Sequence, residues 1–117
     1  MEVARKTILV VDDEIDVRES LQDALEDEGY NVVLARNGKE ALQLLPSLER
    51  PCAVLLDVIM PVMSGPEFYE AIRARPDLAD IPVLISTSDP SRAPARLPVV
   101  KKPVNLDRLL TALAALF

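Results

Sequence analysis

Histidine is absent from this 117-residue chain, which excludes a histidine phosphotransfer centre, a histidine-based triad and imidazole metal ligands within it. Cysteine occurs once, as Cys52, so no internal disulfide can form. Its place inside an apolar run predicts a buried, reduced thiol and a cytoplasmic setting. Glycine occurs three times, and no glycine-rich loop follows the first apolar run, so a nucleotide cradle is not supported. Basic clusters are missing too: 13 lysines and arginines stand against 19 acidic residues, for a formal charge of -6. That balance argues against nucleic acid or an anionic membrane as a direct partner. No apolar stretch approaches the roughly twenty residues of a membrane span, and residues 1–7 lack the apolar core of a signal peptide. Any chemistry here must be built from aspartate, lysine and hydroxyl groups.

Half of the residues are apolar, which at this length gives one domain, 1–117, with a real core and no room for a second. Runs at about 7–12, 31–35, 52–57, 82–87 and 98–101 are rich in valine, isoleucine and leucine without polar alternation. This is the pattern of parallel strands buried on both faces. Amphipathic segments lie between them. Val17, Leu21, Ala24 and Leu25 keep helical spacing and Gly29 supplies a stop. Asn37-Gly38 opens a second helix carrying Ala41, Leu42 and Leu45, and Ser64 with Glu67 has capping-box spacing ahead of Phe68 and Ile72. Asn105 caps a last helix whose apolar face is Leu106, Leu109, Leu110, Leu113 and Leu116 or Phe117. In the stretch 88–98, Pro90, Pro94 and Pro98 interrupt the place of a fourth crossover helix and leave at most a short helical turn. Alternating strand and helix predicts a doubly wound α/β sheet with right-handed crossovers. Its functional groups should lie beyond the carboxyl ends of the strands, at a topological switch point.

The polar residues of interest fall at those ends: Asp12 and Asp13 after the first run, Asp57 after the third, Thr87 after the fourth and Lys102 after the last. Alone, Asp12-Asp13 fits a helix N-cap and its dipole-stabilised neighbour better than a metal site. Asp57 changes that balance, because carboxylates gathered within a few ångströms repel and are relieved by a proton or a hard cation. Mg²⁺ suits oxygen ligands, keeps waters and leaves a position for a phosphoryl oxygen. Lys102 has a competing reading as a solvated strand-end lysine, with Lys101 beside it. Pro103 fixes the chain at that point, and a Lys102 turned into the acidic cluster pairs with Asp57 and later with phosphate oxygens. Thr87 alone reads as a β-branched strand residue, with Ser86 and Ser88 as rival hydroxyls. Met60-Pro61 and Gly65 fit a tight loop after Asp57.

Taken in order, Asp12-Asp13, the stretch Asp57-Val-Ile-Met-Pro-Val-Met-Ser-Gly65, Thr87 and Lys102-Pro103 resemble the receiver domain of two-component response regulators, over the whole chain. The resemblance implies a flavodoxin-like, doubly wound five-stranded parallel sheet of order 2-1-3-4-5, with helix four shortened or missing here. It implies Asp57 as phospho-acceptor, Asp13 as a direct Mg²⁺ ligand, Asp12 acting largely through metal-bound water, and the Ile59 carbonyl as a further ligand. Lys102 would neutralise the transferring phosphoryl group. Thr87 would donate its hydroxyl to a phosphoryl oxygen, with the Ser88 amide nearby. The implied donor is a histidine kinase or a histidine phosphotransfer protein, and the implied recipient of the signal is a downstream protein. A monomer or weak homodimer is expected, and no enzymatic activity beyond the domain's own phosphotransfer and dephosphorylation.

The chain departs from the family pattern in three places. The fourth helix is curtailed. Val99 stands three residues before the lysine, where a tyrosine or phenylalanine is usual, so an aromatic relay is absent. Ile59 puts an apolar side chain where polar residues assist hydrolytic water, which predicts slow autodephosphorylation. Two other readings compete. A docking module that keeps the fold without being phosphorylated would use the segment 88–98 as a fixed surface. A haloacid-dehalogenase-like phosphohydrolase would need a second aspartate two residues after the nucleophile, where this chain has Ile59. No DNA-binding, catalytic or coiled-coil extension follows the last helix, so output is expected through a partner or a larger protein containing this unit.

Overall fold

The apolar runs form one sheet, seen in a computed structural model that describes residues 6–116. Its strands are β1 (Thr7–Val11), β2 (Asn31–Ala35), β3 (Ala53–Asp57), β4 (Val83–Thr87) and β5 (Val99–Lys101). All pairings are parallel and the order is β2-β1-β3-β4-β5, as expected of a flavodoxin-like fold. The crossovers carry α1 (Ile15–Asp27), α2 (Gly38–Leu44) and α3 (Gly65–Arg73), and α4 (Leu106–Ala114) follows β5.

Strand side chains alternate between the two faces, and the core divides accordingly. Leu9, Val11, Val54, Leu56, Val83 and Ile85 meet Ala41 of α2 and Phe68 and Ile72 of α3. On the other face Ile8, Val10, Leu55, Leu84 and Val100 meet Leu21 and Leu25 of α1 and Leu109 and Leu113 of α4. With both faces covered, every residue of β3 and β4 is buried, which is why those runs show no polar alternation. Phe68 is fully buried, and truncating such a side chain to alanine costs about 3–5 kcal/mol.

The caps form as the sequence predicts. The Asn37 side chain accepts from the Glu40 N–H at 2.9 Å and the Asn105 side chain from the Arg108 N–H at 3.1 Å. Both bonds of the Ser64–Glu67 capping box are made. Gly29, after α1, has φ +93°, a conformation that favours glycine. Helix α1 is different. Its N-cap residue is Glu14, with no side-chain cap bond, while Asp12 Oδ1 accepts the Glu14 N–H at 3.0 Å. The N-cap reading of the Asp12-Asp13 pair therefore fails, because those residues lie two and one positions before the N-cap residue.

Between β4 and β5 the only helical element described is a 3-10 turn, Pro90–Arg92. Ala93 and Leu97 pack onto the α2/α3 side of the core, so an irregular segment stands where a crossover helix would. Edge residue Val99 is left 36% exposed. Cys52 corrects an expectation. It is half-buried rather than buried, because it precedes β3, at the end of the sheet away from the carboxylates. Its Sγ donates to the Thr7 carbonyl at 3.2 Å, and burial pushes the thiol pKa up. Leu116 packs against the α1/α4 side of the core, whereas Phe117 lies outside the described residues. Among the described residues, no helix is long and apolar enough to cross a membrane.

Candidate functional site

Alternation decides which polar residues meet. Val10 and Leu55 face the α1/α4 layer, so two residues on, Asp12 and Asp57 point the same way. The β1–β3 register pairs Val11 with Leu56, which sets the two aspartates side by side at the next rung. Asp13, one residue further, is exposed. One carboxylate oxygen from each of Asp12, Asp13 and Asp57 lies within 4.8 Å of the others.

Lys102 reaches this cluster by the same logic. Val100 faces the α1/α4 layer, so Lys102 shares its side and Lys101 faces away, exposed, which removes Lys101 as a rival. The Lys102 N–H donates to the Thr87 carbonyl at 2.8 Å, and the Lys102–Pro103 peptide is cis. Its Nζ lies 2.6 Å from Asp12 Oδ2 and 3.5 Å from Asp57 Oδ2. The expected partner of the lysine was Asp57; the closer one is Asp12.

Asp12 is 2% exposed and heavily tied. Besides Lys102 and the Glu14 N–H, its own N–H donates to the Ala35 carbonyl at 3.1 Å. Its carbonyl accepts from Arg18 Nη1 at 2.7 Å. Arg18 was not visible in the sequence as part of the site, since its contact is to backbone six positions away. Asp57 is also buried, with its carboxyl pushed up to about 6. Burial is the main cause, followed by the charge of Asp12; Lys102 opposes the rise, Asp13 adds to it, and a hydrogen bond from the Ile59 backbone opposes it. Burial works against the ammonium of Lys102, but its hydrogen bond to Asp12 and the charges of Asp12, Asp57 and Glu14 outweigh that and raise its pKa. It stays protonated, and one ammonium faces the whole acidic cluster.

The loop after Asp57 needs Gly65 for a reason that turn chemistry alone does not show. A Cβ there would lie 2.3 Å from the Asp57 carbonyl oxygen and 2.9 Å from Val58 Cα. The Gly65 N–H donates to the Val58 carbonyl at 2.9 Å, so the start of α3 is pressed against the end of β3. Ile59 itself is 49% exposed. Thr87 is buried at the tip of β4, on the α3 side by alternation. Its Oγ1 accepts the Asp89 N–H at 3.1 Å and donates to the Asp89 carbonyl at 3.5 Å, so the hydroxyl is tied to its own loop.

A groove of about 900 Å³ runs from these residues between α1 and α4. Asp13, Asp57 and Lys102 line one end, and Val17, Leu21 and Leu109 line the rest. The donor set is oxygen-only, carries more negative than positive charge and opens to solvent at Asp13, which fits a hard divalent cation.

The likenesses to known proteins agree with this geometry. The model of the response regulator receiver domain matches residues 8–114. Response regulator MprA of Mycolicibacterium vanbaalenii is 43% identical over 116 residues, covering 93% of this chain and 49% of that protein. The chain thus spans about half the length of the curated relatives it matches. Among solved structures, chemotaxis protein CheY4 of Vibrio cholerae superposes with a TM-score of 0.88 at 32% identity, covering 97% of this chain and 100% of that one. TrrA of Thermotoga maritima, solved in complex with Mg(2+)-BeF, gives 0.84 at 34% identity, covering 96% and 99%. Sheet order, acidic cluster and sequence likeness therefore converge: the chain belongs to the response regulator receiver domain family.

Proposed function

We propose that this receiver accepts a phosphoryl group on Asp57 from the phosphohistidine of a histidine kinase or histidine phosphotransfer protein, in the cytoplasm, and that phosphorylation alters its binding to a downstream protein. Residues 1–117 act as one unit, as a monomer or weak homodimer. The observation that carries this reading is the meeting of Asp12, Asp13, Asp57 and Lys102 at one sheet edge, with carboxylate oxygens within 4.8 Å. Of the three aspartates, Asp57 suits the nucleophile. Asp12 is held by Lys102 and the Glu14 N–H and Asp13 stands in solvent, whereas Asp57 is buried at the end of the groove with the Lys102 ammonium 3.5 Å away.

In the transfer, an Asp57 carboxylate oxygen forms a bond to phosphorus as the P–N bond to the donor imidazole breaks, its electron pair staying on nitrogen. Lys102, already 3.5 Å from Asp57 Oδ2, follows the phosphoryl charge. Such a reaction needs positioning and charge neutralisation more than covalent help from the protein. Asp12, Asp13, Asp57 and the Ile59 carbonyl would hold Mg²⁺, which when bound neutralises the carboxylates and polarises phosphoryl oxygens. The Mg(2+)-BeF complex of TrrA supports that assignment. Thr87 turns its O–H from the Asp89 carbonyl to a phosphoryl oxygen, with the Ser88 amide beside it, and so couples the modification to the segment 88–98. Signal decay is attack of water on phosphorus, which releases the Asp57 carboxylate and inorganic phosphate.

Intact-mass analysis after incubation with acetyl phosphate and Mg²⁺ tests this. One added phosphoryl group, lost in Asp57→Asn and with chelator, is the expected result. No gain from acetyl phosphate or from a phosphohistidine protein would overturn it in favour of a phosphorylation-independent docking module.

A further inference from the structure

Strand β4 lies between β3 and β5. Lys102 follows β5, yet its ammonium is 3.5 Å from Asp57 at the end of β3 and 2.6 Å from Asp12 beyond β1. Neighbouring strands are about 4.8 Å apart, so the lysine side chain is carried across β4. The β4 residue that faces that side level with Asp57 is Ser86. Leu84 belongs to the α1/α4 layer, Ser86 repeats its direction, and the register pairs Ser86 with Asp57 on one side and Val100 on the other.

Ser86 is 2% exposed, and among the described residues its Oγ is the buried side-chain polar atom with no hydrogen-bond partner. Isolating a hydroxyl from water without a partner is unfavourable, and an apolar residue of similar shape would pack there at lower cost. The neighbouring hydroxyls are placed otherwise: Thr87 is bound to Asp89, and Ser88, though it lines the groove, is exposed and can be met by water. An ammonium carries more N–H donors than Asp12 and Asp57 take up. The Ser86 hydroxyl, between Asp57 and Val100 in the register, is an uncommitted buried acceptor on the face that Lys102 crosses.

We infer that Ser86 is a positioning residue for Lys102: its hydroxyl accepts an ammonium N–H as Lys102 shifts from Asp12 toward a phosphorylated Asp57. This rests on the role given to Lys102 above. Binding the ammonium along its path makes leaving Asp12 easier and holds the charge where the phosphoryl group arrives.

Ser86→Thr and Ser86→Val present nearly the same shape and differ in the hydroxyl. Their phosphorylation by acetyl phosphate at saturating Mg²⁺, followed by intact mass, is compared with thermal melting. Ser86→Thr stays within about twofold of the parent rate, while Ser86→Val is about tenfold slower although it melts no lower than Ser86→Thr. Ser86→Ala, which adds no bulk, is slowed like Ser86→Val. Equal rates for Ser86→Thr and Ser86→Val, with the parent phosphorylated on Asp57, overturn this inference alone. A parent chain that takes up no phosphoryl group overturns the proposed function and this inference with it.

Discussion

The Lys102 ammonium is seated on Asp12 at 2.6 Å, an ion pair between residues 90 positions apart in the chain. Asp57, at 3.5 Å, has only the second claim on that charge. Without a divalent cation, the lysine therefore neutralises the most buried carboxylate and leaves Asp57 undercompensated. The raised pKa of Asp57 follows from its burial and from Asp12 beside it, and the same imbalance prepares the site for a cation.

The stability of the metal-free protein should therefore depend on Asp57 in a pH-specific way. The folded-state pKa is about 6 and the ordinary value is 3.8, so between those values the native state binds more protons than the unfolded chain. Stability falls as pH rises through that window and levels off above it. With chelator present, Asp57→Asn should be more stable than the parent by about 1–3 kcal/mol at pH 7.5, and the difference should vanish near pH 4. Urea denaturation across pH measures this. A difference that grows on acidification would have the wrong sign.

Removing the lysine should reverse the roles of pair and cation. In Lys102→Ala, Asp12 and Asp57 keep their burial and lose their ammonium, which should cost about 1–3 kcal/mol in chelator at neutral pH. Millimolar Mg²⁺ should then raise the melting temperature more in the variant than in the parent, because binding to the native state alone stabilises it. Phosphorylation by acetyl phosphate should be slower by about 100-fold or more. Melting curves with and without Mg²⁺, paired with intact mass, separate the two effects.

Much of this arrangement is legible in the sequence. The ends of the apolar runs locate Asp12, Asp13, Asp57 and Lys102, because parallel strands bring those ends to one edge. The prolines at 90, 94 and 98 foretell the missing crossover helix, and Ser64 with Glu67 foretells the start of α3. What is not legible depends on tertiary distances. The preference of Lys102 for Asp12 depends on reach across β4, and the clamp of Arg18 on the Asp12 carbonyl joins a helix side chain to a strand-end backbone. The half-burial of Cys52 is not legible either, because an apolar run does not reveal where helix cover stops. Ser86 reads in the sequence only as a rival hydroxyl to Thr87, and it is the register that sets it opposite Asp57.

Gly65→Ala should damage both stability and the site. The added Cβ would meet the Asp57 carbonyl oxygen and Val58 Cα, backbone atoms that cannot rotate away. Overpacking of this kind costs about 1–3 kcal/mol or more. Relief requires moving the end of β3, and with it Asp57. The expected outcome is a lower urea midpoint together with slower phosphorylation at a temperature where the variant is still folded. A destabilised variant phosphorylated at the parent rate would show that the carboxylate does not depend on this close approach.

Ile59 should set the lifetime of the phosphorylated state. Its side chain is 49% exposed beside Asp57 and lines the groove, yet it offers no group to orient a water molecule toward phosphorus. Correct orientation of the attacking water is the part of hydrolysis that a neighbouring side chain can supply. Ile59→Asn puts a donor and an acceptor there without changing the charge, and because the position is exposed the fold should tolerate it within about 0.5 kcal/mol. Dephosphorylation should then accelerate by about 3- to 10-fold, read as decay of the phosphorylated mass after donor is removed. Ile59→Val, which alters shape but not polarity, should leave the lifetime within about twofold. If Ile59→Asn decays no faster than the parent, the apolar side chain does not protect the phosphoryl group, and control of lifetime must lie elsewhere on the groove.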